Sequence, residues 1–103
     1  MPDVLIIEDD HEAATYIAKA LRESGHAADH AGDGETGLSM AREEAYDVLV
    51  IDRMLPKMDG LELAEHILTV DNTIPVIIMT GYPSLDNTIR TLKNGVVDFL
   101  IKP

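Results

Sequence analysis

Acids, a threonine, a glycine and a lysine stand at the ends of short apolar runs in this chain. Glu8-Asp9-Asp10 follow "VLII" (4–7), Asp52 follows "DVLVI" (47–51), Thr80-Gly81 follow "PVIIM" (75–79), and Lys102 follows "VDFLI" (97–101). If the first and third runs lie side by side, Glu8, Asp9 and Asp52 crowd into one pocket, where like charges repel at a cost in stability. A hard divalent cation relieves that conflict, and carboxylate oxygens with water suit Mg²⁺. Such a pocket holds a cation, a carboxylate, a hydroxyl, a backbone amide and an ammonium, a set able to bind a phosphoryl group. In that chemistry Asp52 is the nucleophile and forms an aspartyl phosphate. The metal and Lys102 offset charge on the transferring group, and Thr80 orients it. The plainer alternative, an acid that caps the next helix, suits Asp10, which directly precedes one. It does not explain acids, a hydroxyl and an amine at matching ends of four runs.

The elements that must position these groups alternate along the chain. "VLII" is short, branched and continuous, as in a strand buried on both faces. A helical stripe of Ala14, Ile17, Ala18 and Leu21 follows and ends at Ser24-Gly25, where glycine supplies a left-handed cap. "HAADHA" (26–31) is a weak, polar strand suited only to a sheet edge, and Asp33 caps a helix running to about Glu43. "DVLVI" is the strongest strand. Asp59 with Glu62 three residues on has capping-box spacing, which predicts a helix over about 60–70. After "PVIIM", Ser84 caps a helix carrying Leu85, Ile89 and Leu92 and closed by Asn94-Gly95, and "VDFLI" is the last strand. Strand and helix in alternation predict a doubly wound α/β fold, a parallel five-stranded sheet with helices on both faces.

Composition narrows the function. The chain has 103 residues and reads as one domain, 1–103. It has no cysteine, which excludes disulfides and thiolate metal sites. A formal net charge of −11 argues against direct nucleic-acid binding, which needs basic neutralisation of phosphates. No apolar run approaches the roughly 20 residues of a membrane span, and the acidic "MPDVLIIEDD" start is no secretion signal. A soluble cytoplasmic protein without membrane contact is expected. "GDGETG" (32–37) matches G-x-G-x-x-G, but the strand before it is weak and Asp33 and Glu35 would repel a pyrophosphate. It is read as a helix start. His11, His26, His30 and His66 are scattered and read as surface residues. His26 and His30 lie too far apart along their strand to share a metal ion.

"VLIIEDD", "VIDRMLPKMDG", "VIIMTG" and "DFLIKP" together resemble the four signature segments of bacterial response-regulator receiver domains, in register from residue 3 to residue 103. The resemblance implies a flavodoxin-like strand order 2-1-3-4-5. It implies Asp52 as phosphoacceptor, served by a histidine kinase or phosphotransfer protein, and an output domain or partner protein downstream. Glu8, Asp9 and Asp52 with the Met54 backbone carbonyl match the Mg²⁺ ligands, Asp9 directly and Glu8 through water. Thr80 and Lys102 match the family's hydroxyl and amine, Gly81 the residue whose amide meets the phosphoryl group, and Phe99 the aromatic switch. Phosphorylation would draw the Thr80 loop inward and let Phe99 turn into the vacated space. Pro103 matches a proline after a cis peptide. Met54 and Tyr82 match positions lining the path to the acyl phosphate, and neither can orient a hydrolytic water, so slow self-dephosphorylation is expected. Gly37 stands where the family commonly has alanine, at about 1 kcal/mol of helix stability unless close packing requires it.

The family continues into a fifth helix, whereas this chain stops at Lys102-Pro103. The expectation is a truncated receiver whose uncovered sheet face favours homodimers. The reading is a signalling switch that assists its own phosphorylation, not a free-standing enzyme. One rival is a Mg²⁺-dependent phosphohydrolase with an aspartyl-phosphate intermediate. The haloacid-dehalogenase type places a second Asp two residues after the nucleophile, where this chain has Met54. The other rival, a degenerate receiver-like interaction module, would bind no Mg²⁺ and accept no phosphoryl group.

Overall fold

In the computed structural model the described residues are 3–71 and 73–81, with the backbone of 96–101. β1 (Asp3–Ile7), α1 (His11–Glu23), β2 (Ala27–Ala31), α2 (Gly34–Glu43), β3 (Val48–Asp52), α3 (Gly60–Val70), β4 (Val76–Thr80) and β5 (Val96–Ile101) follow in order. The strands form one parallel sheet in the order β2-β1-β3-β4-β5. The α/β architecture and strand order therefore agree with expectation, and the polar β2 does lie at an edge. The predicted helix after Ser84, Tyr82, the Lys102–Pro103 peptide and the Lys102 amine lie outside the described residues.

The apolar runs are continuous because both faces of the sheet are covered, with successive side chains serving opposite layers. Leu5, Ile7, Leu49, Ile51, Val76 and Ile78 enter the core beneath α2 and α3, where Leu61, Leu63, Ala64 and Ile67 meet them. Val4, Ile6, Val50 and Met79 face the other way, and Ala18 of α1 and Ala28 of β2 close over them. This alternation sends each strand straight through the middle of the molecule. The residue after the last apolar position therefore emerges at a fixed place on the sheet's carboxyl edge.

Side chains begin the helices where the sequence predicts. The Asp10 carboxylate accepts from the Glu12 and Ala13 amides, Asp33 from the Thr36 amide, and Asp59 from the Leu61 amide. Each satisfies an amide left over in a first turn. The cap on α2 confirms "GDGETG" as a helix start. α1 ends through Gly25 at φ 88°, the left-handed geometry that favours glycine. Gly37 has a packing reason: a Cβ there would stand 2.5 Å from Ile7 Cδ1. Its hydrogen lets α2 settle onto β1.

Candidate functional site

Three strands deliver the polar groups to one edge. β1 runs into Glu8 and Asp9, β3 ends on Asp52, and β4 ends on Thr80. Glu8, Asp52 and Thr80 are buried, with exposures of 0%, 1% and 2%, while Asp9 is open to solvent. Carboxylate oxygens of Glu8, Asp9 and Asp52 lie within 4.8 Å of one another. Three oxygen donors this close, with neither sulfur nor imidazole among them, fit a hard divalent cation. The sequence-predicted acids therefore meet, and the pairing of β1 with β3 is the reason.

The β3–α3 loop is held tightly beneath Asp52. The ladder continues one residue past the strand, the Arg53 amide donating to the Met79 carbonyl at 2.7 Å. The Met54 amide donates to Asp52 Oδ1 at 3.2 Å, so the carboxylate helps shape the loop whose Met54 carbonyl the resemblance implicates. The Met54 side chain itself is 69% exposed, in keeping with a position used for its backbone. Met58 is part-buried against the core. Arg53 pairs with Asp59, which also caps α3. Lys57 takes φ 67°, an unfavourable left-handed conformation for a side-chain-bearing residue, within the β3–α3 loop. Gly81 is exposed beyond Thr80, and among the described residues nothing lies within 4 Å of where its side chain would stand. Phe99 lies on β5 opposite Ile78 in the register.

Two contributors were not singled out from the sequence. The first is Gly60: a Cβ on it would lie 2.0 Å from the Asp52 carbonyl oxygen, and its amide donates to the Arg53 carbonyl at 3.1 Å. Helix α3 can start directly under the acid only because residue 60 is glycine. The second is His30. Expected at the surface, it is half-buried, and Nε2 lies 2.7 Å from the Glu8 carbonyl oxygen. His26 is half-buried as well, whereas His11 and His66 are exposed as expected. The Asp-Gly pair "DG" at 59–60 is the one local signal that could have flagged Gly60. Nothing local points to His30.

Comparison with known proteins gives one consistent result. A family model described as Response regulator receiver domain matches residues 4–103. The transcriptional regulatory protein ZraR of Klebsiella oxytoca is 38% identical over 101 residues, which is 98% of this chain and 23% of that protein. The probable transcriptional regulatory protein SilR of Salmonella typhimurium is 33% identical over 100 residues, 97% of this chain and 44% of that protein. The chain thus spans less than half the length of these curated relatives. Among solved structures, the receiver domain of the Francisella response regulator 1452 superposes with a TM-score of 0.90 at 37% identity. That match covers 100% of this chain and 85% of that one. A CheY-like response regulator receiver domain protein from Methanospirillum hungatei JF-1 gives a TM-score of 0.91 at 28% identity, covering 100% of this chain and 82% of that one. Among the described residues, no helix is long and apolar enough to cross a membrane.

Proposed function

This chain belongs to the response regulator receiver domain family, and on that premise we propose that it acts as a phosphoacceptor switch with Asp52 as the acceptor. One observation carries the assignment: Asp52 is a buried carboxylate at a strand end, within 4.8 Å of the Glu8 and Asp9 carboxylates. An Asp52 carboxylate oxygen attacks the phosphorus of a phosphohistidine on a cognate histidine kinase or phosphotransfer protein. The P–N bond breaks, the imidazole departs and takes a proton from solvent, and an aspartyl phosphate remains. Asp9, Asp52 and the Met54 carbonyl would hold Mg²⁺, with Glu8 acting through water, and the bound cation would supply positive charge against the acids and the phosphoryl oxygens. Thr80 and the Gly81 amide orient the phosphoryl group, and Lys102 neutralises it. Phe99 then responds to the movement of Thr80, shifting the population between two states that an output domain or partner protein reads. The domain assists its own phosphorylation without turning over a separate substrate. Met54, apolar and solvent-facing, supplies no second carboxylate of the kind a phosphohydrolase would place there.

The test is to treat the wild type and Asp52→Asn with Mg²⁺ and acetyl phosphate, or with beryllofluoride. The wild type gains the mass of one phosphoryl group, or is stabilised by beryllofluoride, and Asp52→Asn shows neither. A gain that persists in Asp52→Asn overturns the assignment.

A further inference from the structure

We infer that His30 is a positioning residue for the cation site, its imidazole fixing the Glu8–Asp9 peptide so that both carboxylates are aimed at Asp52. The inference rests on reading Glu8, Asp9 and Asp52 as the cation's ligands. β1 ends at Ile7, and its ladder to β2 makes one more bond, the Glu8 amide donating to the Ala31 carbonyl at 3.1 Å. A continued ladder would satisfy the Glu8 carbonyl from the β2 backbone. β2 ends at Ala31, however, and the chain turns through Gly32 to the cap of α2 at Asp33. The His30 side chain supplies the donor instead, with Nε2 2.7 Å from the Glu8 oxygen. A carbonyl can only accept, so Nε2 carries the proton.

One bond at this oxygen has leverage. The peptide is a rigid plane with the Glu8 Cα at one end and the Asp9 Cα at the other. The two side chains leave in different directions, Glu8 into full burial and Asp9 into solvent, yet their oxygens return to within 4.8 Å of each other. Tilting the plane would move both carboxylates at once. The ring that holds it is half-buried, and the His11 ring lies 6.1 Å away, tilted by 47°. Groups that orient metal ligands from outside the coordination shell have large effects on affinity for this reason.

The experiment measures Mg²⁺ affinity by isothermal titration calorimetry on the unphosphorylated wild type, His30→Phe and His30→Gln, together with the unfolding midpoint of each in metal-free buffer. His30→Phe keeps a ring of similar bulk and loses the donor, and Mg²⁺ binding weakens roughly tenfold. His30→Gln restores an N–H donor and recovers most of the affinity. A purely structural role would lower the metal-free midpoint without separating the donor-bearing variant from the donorless one in affinity. Wild-type affinity in His30→Phe, or equal loss in both variants, overturns the inference. A wild type that takes up no Mg²⁺ defeats the cation reading itself and this inference with it.

Discussion

A methyl group at residue 60 would collide with the backbone that carries Asp52, and backbone in a central strand has nowhere to move. The nearest atom is the Asp52 carbonyl oxygen at 2.0 Å, followed by the Asp52 carbonyl carbon and Arg53 Cα. Gly60→Ala is therefore expected to destabilise the fold by about 3 kcal/mol, the upper end of the usual cost of overpacking. It should also slow phosphorylation, because the displaced atoms belong to the acceptor. Gly81 is the internal control. It lies at the same edge of the sheet, with nothing among the described residues within 4 Å of the place a methyl group would occupy, so Gly81→Ala should shift stability by less than about 0.5 kcal/mol. Urea midpoints at unchanged m-value measure both, and equal effects would show that the crowding at Gly60 is not what holds α3 under Asp52.

At the scale of the elements, α2 separates what the sequence discloses from what only packing discloses. Its start was legible, because an aspartate before a helical stripe has a local job: Asp33 Oδ1 accepts from the Thr36 amide at 2.7 Å. That bond, followed by the Thr36 hydroxyl donating to Asp33 Oδ2, holds the Asp33 carboxyl below its ordinary value of 3.8. A depressed folded-state value means a stabilisation present above pH 3.8 and lost as pH falls through the folded value. Asparagine caps without titrating. Asp33→Asn should therefore be less stable than wild type at neutral pH, and the difference should vanish in acid, as read from unfolding midpoints between pH 7 and pH 2.5. The glycine at 37 was legible only as an oddity, since its reason lies in Ile7, far back in the chain and on another element. Gly37→Ala gains about 1 kcal/mol of helix propensity and loses about 2 kcal/mol to the clash, a net loss near 1 kcal/mol. Ile7→Val removes the Cδ1 atom that lies nearest, so the double variant should lose less than the sum of the singles. Strict additivity in that cycle would separate Gly37 from Ile7. Strand runs and caps could be read from the residues because each depends on period or on local spacing, and the meeting of the acids followed once the resemblance put the first and third strands side by side. The roles of Gly60 and His30 could not be read so, because each depends on where a neighbouring element's carbonyl arrives.

Across the whole molecule acids are tied to donors, and at the carboxyl end of the sheet three of them also converge. Asp47 Oδ2 accepts from the Asp3 amide at 2.7 Å, and the Tyr46 hydroxyl lies 2.8 Å from Asp29 Oδ2 and 2.9 Å from Glu44 Oε2. Burial first, and then these two carboxylates, push the Tyr46 hydroxyl well above its ordinary value of 10.0, so it remains a donor throughout the working range. At the carboxyl ends, Glu8, Asp9 and Asp52 converge on one another. Added to a net charge of −11, this convergence means that salt stabilises the protein by two routes that can be separated. Any salt screens the dispersed surface charge, over a Debye length of about 8 Å at 0.15 M. A cation held by the three carboxylates adds a specific increment, about 2.7 kcal/mol at a free concentration a hundred times its dissociation constant. MgCl₂ should therefore raise the wild-type unfolding midpoint above the value in NaCl of equal ionic strength. Asp52→Asn, which removes one of the three carboxylates, should show a smaller magnesium excess. Equal midpoints in the two salts would mean that the acids respond only as part of the general field and that the pocket selects no cation.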